Sequence, residues 1–175
     1  MDRNRVGRCL SRRLQSWLLE TISVKVSASG TLFFSIKTKR ILIQLRSKRA
    51  SYPLTWSLWG GKQEKNERPI ETLLREIKEE MGNVPEIKKI YPLHKYSSKD
   101  GEFEYNSFCC LVDDEFIPEL NTESAGYAWI EPGFWPRPLH NGAKGFLLSK
   151  TFKTKLSALV EYIEHNYASN NNKVS

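Results

Sequence analysis

Residues 61–83 constrain this chain more than any other stretch, because they demand a glycine-led loop followed by one amphipathic helix. They read Gly-Lys-Gln-Glu-Lys-Asn-Glu-Arg-Pro-Ile-Glu-Thr-Leu-Leu-Arg-Glu-Ile-Lys-Glu-Glu-Met-Gly-Asn. Pro69 suits a first helical turn, where its missing N–H costs nothing. Gly82 suits the end, where a left-handed residue often closes a helix. At roughly 100° per residue, Ile70, Leu73, Leu74, Ile77 and Met81 fall within an arc of about 100° and form an apolar stripe for core packing. Glu76, Glu79 and Glu80 fall in a second arc on the other side. Carboxylates this close repel unless some hold protons or a cation neutralises them. Hard cations such as Mg²⁺ take oxygen ligands, commonly a few carboxylates together with substrate phosphates. The alternative for a bare Glu-x-x-Glu-Glu is a solvated acidic face.

The residues around the acids favour the site. Gly61, Glu67, Arg75, Glu76, Glu79, Glu80 and Gly82 stand at the spacing G-x5-E-x7-R-E-U-x-E-E-x-G-U, where U is apolar, and Ile77 fills the first apolar position. This segment resembles the signature box of the Nudix hydrolases. Asn83 departs from the pattern at the last apolar position, and Trp59 stands before Gly60-Gly61 where many members carry proline. The resemblance implies an α/β fold, a mixed β-sheet sandwiched between helices, with the box as a loop–helix–loop. It implies metal-dependent hydrolysis of the pyrophosphate bond in a nucleoside diphosphate linked to another moiety, with water attacking phosphorus. Glu76, Glu79 and Glu80 resemble ligands for Mg²⁺ or Mn²⁺, joined by the carbonyl of Gly61. Arg75 and Glu67 resemble a supporting ion pair, with Gly60 and Gly82 shaping the loop and the helix end. One carboxylate serves as general base in such sites; Glu76 and a glutamate outside the box are the candidates. Residues 120–132 look like a later pattern in which a glutamate precedes a strand, so Glu123 is expected as the further metal or base residue. The last third resembles short members from phages and bacteria. ADP-ribose enzymes of the family often carry a proline some sixteen residues past the box, where this chain has none near Lys99.

Length and composition bound the remainder. At 175 residues with 39% hydrophobic content the chain can bury a sizeable core, and no stretch is apolar for long enough to span a bilayer. The expected organisation is a basic helix or arm over 1–20, one domain over 21–167 and a disordered tail over 168–175. Cys9 is isolated and Cys109-Cys110 are neighbours, so no disulfide framework is expected and a reducing, cytoplasmic compartment is. Arg3, Arg5, Arg8, Arg12 and Arg13 crowd the first residues, but Asp2 and the shortness of the segment count against an organellar leader. The net charge of +7 steers anions. It suits a nucleotide-type substrate and admits RNA as a partner, so a non-catalytic Nudix-fold nucleotide- or RNA-binding module is the alternative reading. The family also implies a homodimer.

Strands are expected at 21–28, 31–37, 40–46, 86–96, 102–112 and 127–130, with a turn at Ser29-Gly30 and a closing helix over 153–167. For substrate contact, Arg46 follows a strand just before the box. Trp135 and Arg137 lie in the proline-rich loop 132–145, where Trp135 is placed to stack a base and Arg137 to meet phosphate.

Overall fold

The structure is a computed structural model that describes residues 25–82 and 84–167. The expected N-terminal arm, the C-terminal tail and Asn83 lie outside the described residues. The chain runs β1 (Val26–Ser35), β2 (Ile41–Arg46), β3 (Trp56–Ser57), β4 (Trp59–Lys62), α1 (Pro69–Met81), β5 (Lys89–Ser97), β6 (Phe103–Val112), β7 (Ser124–Ile130), α2 (Asn141–Leu147) and α3 (Lys150–Tyr167). One seven-stranded mixed sheet has the order β3-β2-β1-β6-β5, with β4 also pairing β1 and β7 also pairing β2. Among the strand pairings of the described residues, β1–β6 alone is parallel.

Successive strand residues point to opposite faces, and the apolar runs in the middle of the sheet bury both. Leu32, Phe34, Cys109 and Leu111 pack under α2 and α3 with Phe146, Phe152, Leu156 and Ile163. Phe33, Leu42, Cys110 and Val112 pack under α1 with Leu73, Ile77 and Met81. Helices on both faces of a mixed sheet make the expected α/β sandwich. The same alternation sends the adjacent thiols of Cys109 and Cys110 to opposite cores, where burial pushes both pKa values up and leaves both free.

The expected turn at Ser29-Gly30 is not there; β1 runs straight through it. A Cβ on Gly30 would lie 1.9 Å from the Tyr105 hydroxyl and 2.9 Å from the Trp59 carbonyl. Glycine serves close approach between strands here rather than a change of direction. Pro92 lies within β5, where a register shift between Pro92 and His94 absorbs it. The proline-rich loop is shorter than expected. Its last residues form α2 in spite of two glycines, because Ala143, Phe146 and Leu147 gain burial and the His140 side chain caps the helix. Strand β7 and helix α3 each begin three residues earlier than expected, the latter where Ser149 Oγ accepts from the Phe152 amide at 3.1 Å.

Near the start of the parallel pair, the Glu104 carboxylate lies between Lys25 and Lys95, 2.7 Å from the latter. Hydrogen bonds from these two ammonium groups hold its pKa down to about 2. A depressed carboxylate adds stability above its unfolded pKa near 4.5 and loses it as pH falls through the folded value. Both lysines are more than half exposed, so solvent screening reduces the gain to about 1 kcal/mol. Glu104→Gln should cost that much in urea unfolding at pH 7 and almost nothing near pH 2. An equal cost at both pH values would mean that packing, not charge, is at work there.

Candidate active site

Strand β1 pairs β6 along its whole length, but its other edge is shared: Ala28–Thr31 pair β4, and Phe33–Phe34 pair β2. The acids collect where the sheet divides. Gly60 and Gly61 lie on β4, α1 follows the box loop, and Glu123 immediately precedes β7. Gly60 has φ +136°, and a Cβ there would lie 2.1 Å from the Ser29 carbonyl oxygen. Only glycine lets this backbone lie so close to β1.

Helix α1 starts at Pro69, where the Arg68 amide donates to Glu71 at 2.8 Å. It buries Leu73, Ile77 and Met81 but also Thr72 and Glu80, while Leu74 is 47% exposed. The buried face is thus rotated from the apolar stripe. On a helical wheel Glu80 lies only about 20° from Leu73, so it points inward instead of sharing the outer face with Glu76 and Glu79. Glu80 accepts from the Gly60 amide at 2.8 Å and from Gln44 Nε2 at 3.4 Å. Burial raises its pKa to about 7, with the charges of Glu76 and Glu123 adding.

Arg75 straps the loop to the helix. Its guanidinium donates to Glu67 at 2.8 and 3.2 Å, to the Lys62 carbonyl at 2.9 Å, to Glu76 at 2.9 Å and to Glu79 at 3.2 Å. With the Glu64 amide and the Thr72 hydroxyl also donating, Glu67 is held down to about 2, chiefly by Arg75. The Glu76 carboxylate occupies the space that a Cβ on Gly61 would need, 2.4 Å from it. Burial raises the Glu76 pKa; Arg75 opposes the shift, and Glu79 and Glu123 reinforce it. The loop before β7 is pinned at both sides. Asn121 Nδ2 donates to the Glu79 carbonyl at 3.3 Å, and the Ser47 amide donates to the Glu123 carbonyl at 2.7 Å. This brings Glu123, distant in sequence, into the field of the box acids.

Glu76, Glu79 and Glu123 line one cleft of about 540 Å³, with Gly60 and Gly61 on its wall. Among the described residues no three acids stand close enough to share one ion as they are; Arg75 and the Gly60 amide hold them instead. The donor set still fits a hard divalent cation. Several carboxylates and a glycine backbone line one space, and the repulsion of like charges gathered there is what a cation would relieve.

The cleft's other wall is aromatic: Phe103, Tyr105 and Phe146, with Tyr105 and Phe146 ring centroids 5.2 Å apart. Burial keeps the Tyr105 hydroxyl protonated. Arg46, Lys62 and His140 add polar groups. His140 Nδ1 accepts the Gly142 amide at 3.1 Å, and burial followed by the Arg46 charge lowers its pKa, so the neutral ring carries its proton on Nε2.

Of the substrate residues expected from sequence, Arg46 reaches the cleft, and Trp135 and Arg137 do not. Residues 138–140 attach to β3: the Trp56 amide donates to the Pro138 carbonyl at 2.8 Å, and the His140 amide donates to the Trp56 carbonyl at 2.9 Å. That turns His140 toward the acids. It leaves Trp135 packed on Phe152, beside a separate cavity of about 670 Å³ against α3, and Arg137 exposed. Phe103, Tyr105 and Phe146 carry no motif. They enter the cleft because β6 lies parallel to β1 and α2 closes over it, which only the fold reveals, whereas Lys62 comes with the box on β4.

Among known proteins, the NUDIX domain profile matches residues 25–147. The chain belongs to the Nudix family. It is 31% identical over 103 residues to nucleoside triphosphatase NudI of Escherichia coli, a match that spans 53% of this chain and 72% of that one. Similar solved structures include a MutT NUDIX hydrolase from Burkholderia pseudomallei, with TM-score 0.53, 24% identity and coverage of 69% of this chain and 94% of that one. The NUDIX domain of Shewanella oneidensis NrtR, complexed with ADP ribose, has TM-score 0.54, 17% identity and coverage of 73% and 87%. These two likenesses show the fold. As a Nudix pyrophosphohydrolase this chain is an acid anhydride hydrolase, and Nudix hydrolases generally use divalent cations and act on nucleotides. Among the described residues of this Nudix protein, no helix is long and apolar enough to cross a membrane.

Proposed function

We propose that this Nudix hydrolase cleaves the pyrophosphate bond of a nucleoside diphosphate linked to a further group, and that the reaction requires Mg²⁺ or Mn²⁺. One observation carries the reading: Glu76 and Glu79 from α1 and Glu123 from the loop before β7 open into the same cleft as an aromatic wall. That pairing of a cation-binding end with a stacking end fits a phosphate chain attached to a base. Glu76, Glu79 and Glu123, with the Gly61 backbone, are the proposed ligands. Glu80 holds the glycine loop through the Gly60 amide and does not line the cleft, so it is a ligand only if it turns toward that space. Arg75 orients Glu76 and Glu79. The bound cation supplies neutralisation of phosphate oxygens and a lowered pKa for water.

In the step itself, a water oxygen attacks phosphorus from the side opposite the bridging oxygen. The new P–O bond forms as the bridging P–O bond breaks, and the bridging oxygen leaves with the electron pair. The water's proton passes to a carboxylate. Glu76 and Glu123 are the proposed acceptors, since both line the cleft. Arg46, Lys62 and the Nε2–H of His140, which line the same cleft, are the proposed contacts for phosphate or ribose oxygens. The net charge of +7 keeps an RNA-linked nucleotide among the candidates for the substrate.

The test is a panel of nucleoside triphosphates, nucleotide sugars, dinucleoside polyphosphates and capped RNA, each with Mg²⁺, Mn²⁺ and EDTA, with products separated by chromatography. Cleavage at a pyrophosphate bond that EDTA abolishes is expected. No cleavage with either metal would favour the non-catalytic binding module, which the retained acids of the box speak against.

A further inference from the structure

The cleft does not end at Glu123. A second cavity of about 320 Å³ adjoins it, sharing Arg46, Ser51 and Glu123 and adding Arg49, Ala50 and Thr122. Among the described residues that line it Glu123 is the one acid, and it stands at the border with the cleft. Arg46 is fixed there: its Nε donates to the Ser51 carbonyl at 2.8 Å and its Nη2 to the Ser51 hydroxyl at 3.1 Å. Arg49 is exposed at the rim, in no ion pair with the described residues. The loop that carries Arg49 is held in shape. Tyr52 and Leu54 have φ +52° and +54°, a region bulky side chains enter only under strain. The Tyr52 ring meets His140 edge-on at 4.7 Å, and the Leu54 amide donates to the Arg46 carbonyl at 3.2 Å.

We propose that this cavity is an anion subsite for the group beyond the scissile bond, so that preferred substrates carry a further phosphate there. Two guanidinium groups in a preformed pocket recognise phosphate oxygens well and a neutral sugar poorly. The aromatic residues Phe103, Tyr105 and Phe146 line the cleft and not this cavity, and take the nucleoside. This inference rests on the hydrolase reading and narrows it to nucleoside triphosphates or polyphosphates over nucleoside diphosphate sugars.

The test compares wild type with Arg49→Ala and Arg49→Lys on a nucleoside triphosphate and the diphosphate sugar of the same base, such as UTP and UDP-glucose, for each base in turn. The triphosphate should have the higher kcat/KM. Arg49→Ala should raise its KM about tenfold with kcat little changed, the usual loss of one charge-assisted contact. The effect on the sugar substrate should be several-fold smaller, and Arg49→Lys should recover part of the loss. A preference for the sugar, or equal KM effects on both substrates, overturns the subsite. Calorimetric binding of the α,β-methylene triphosphate and diphosphate analogues separates the two readings. Tighter binding of the triphosphate that needs Arg49, without turnover of any compound, sustains the subsite while removing the hydrolase reading. Equal binding of both analogues removes the subsite whatever the turnover.

Discussion

Glu76→Gln and Glu79→Gln should each lower kcat at saturating substrate by about a hundredfold to a thousandfold. A carboxylate that holds a cation, or that takes the proton of the attacking water, supports several kcal/mol of transition-state stabilisation, and each 1.36 kcal/mol is a factor of about ten. The fold should survive. Glu79 is more than half exposed, with Arg75 the one ion-pair partner among the described residues, and Glu76 has its pKa raised by burial, so a neutral amide costs little there. Far-ultraviolet circular dichroism and the thermal midpoint should stay within a few degrees of wild type. Near-normal turnover by both variants would remove these acids from the chemistry.

The paired glycines should separate two kinds of damage. Gly60→Ala places a Cβ 2.1 Å from the Ser29 carbonyl oxygen and 2.6 Å from the Gly30 Cα, at a φ of +136°. Those atoms belong to the central strand and cannot step aside, so the β4–β1 pairing must open. Strain and overpacking together should cost about 2–5 kcal/mol, seen as a large fall in the urea midpoint. For Gly61→Ala the three atoms nearest the new Cβ all belong to the Glu76 carboxylate, at 2.4–2.6 Å, the far end of a flexible side chain. Stability should fall little while kcat falls at least tenfold, because Glu76 is displaced from its place beside Arg75. Equal stability losses in the two variants would contradict this division of roles.

The box was legible because its helix obeys local rules. Pro69 starts it, Gly82 turns at its end with φ +57°, and the 3.6-residue period sets the face that carries Glu76 and Glu79. The hidden part was the inward turn of Glu80. It depends on Gln44 and the Gly60 amide, partners from other strands that no helical wheel contains. Gly30 reads as a turn in sequence because a turn is the commonest use of Ser-Gly; its real partner, the Tyr105 hydroxyl, is 75 positions away and arrives through a parallel pairing. Trp135 and Arg137 were chosen for their chemistry in a late loop. The attachment of residues 138–140 to β3 sends only His140 to the cleft. The aromatic wall had no local signature, since Phe103 and Tyr105 read as ordinary strand residues until β6 lies beside β1.

Titration of the wild-type protein and of Glu123→Gln with Mn²⁺, followed by the electron paramagnetic resonance signal of the free ion, tests most directly the claim that the box acids and Glu123 form one metal site. Wild type should bind Mn²⁺ saturably, and Glu123→Gln should bind it at least tenfold more weakly, in line with the usual effect of removing a ligand or its supporting partner. Equal binding by the two proteins, or no saturable binding by wild type, would contradict it.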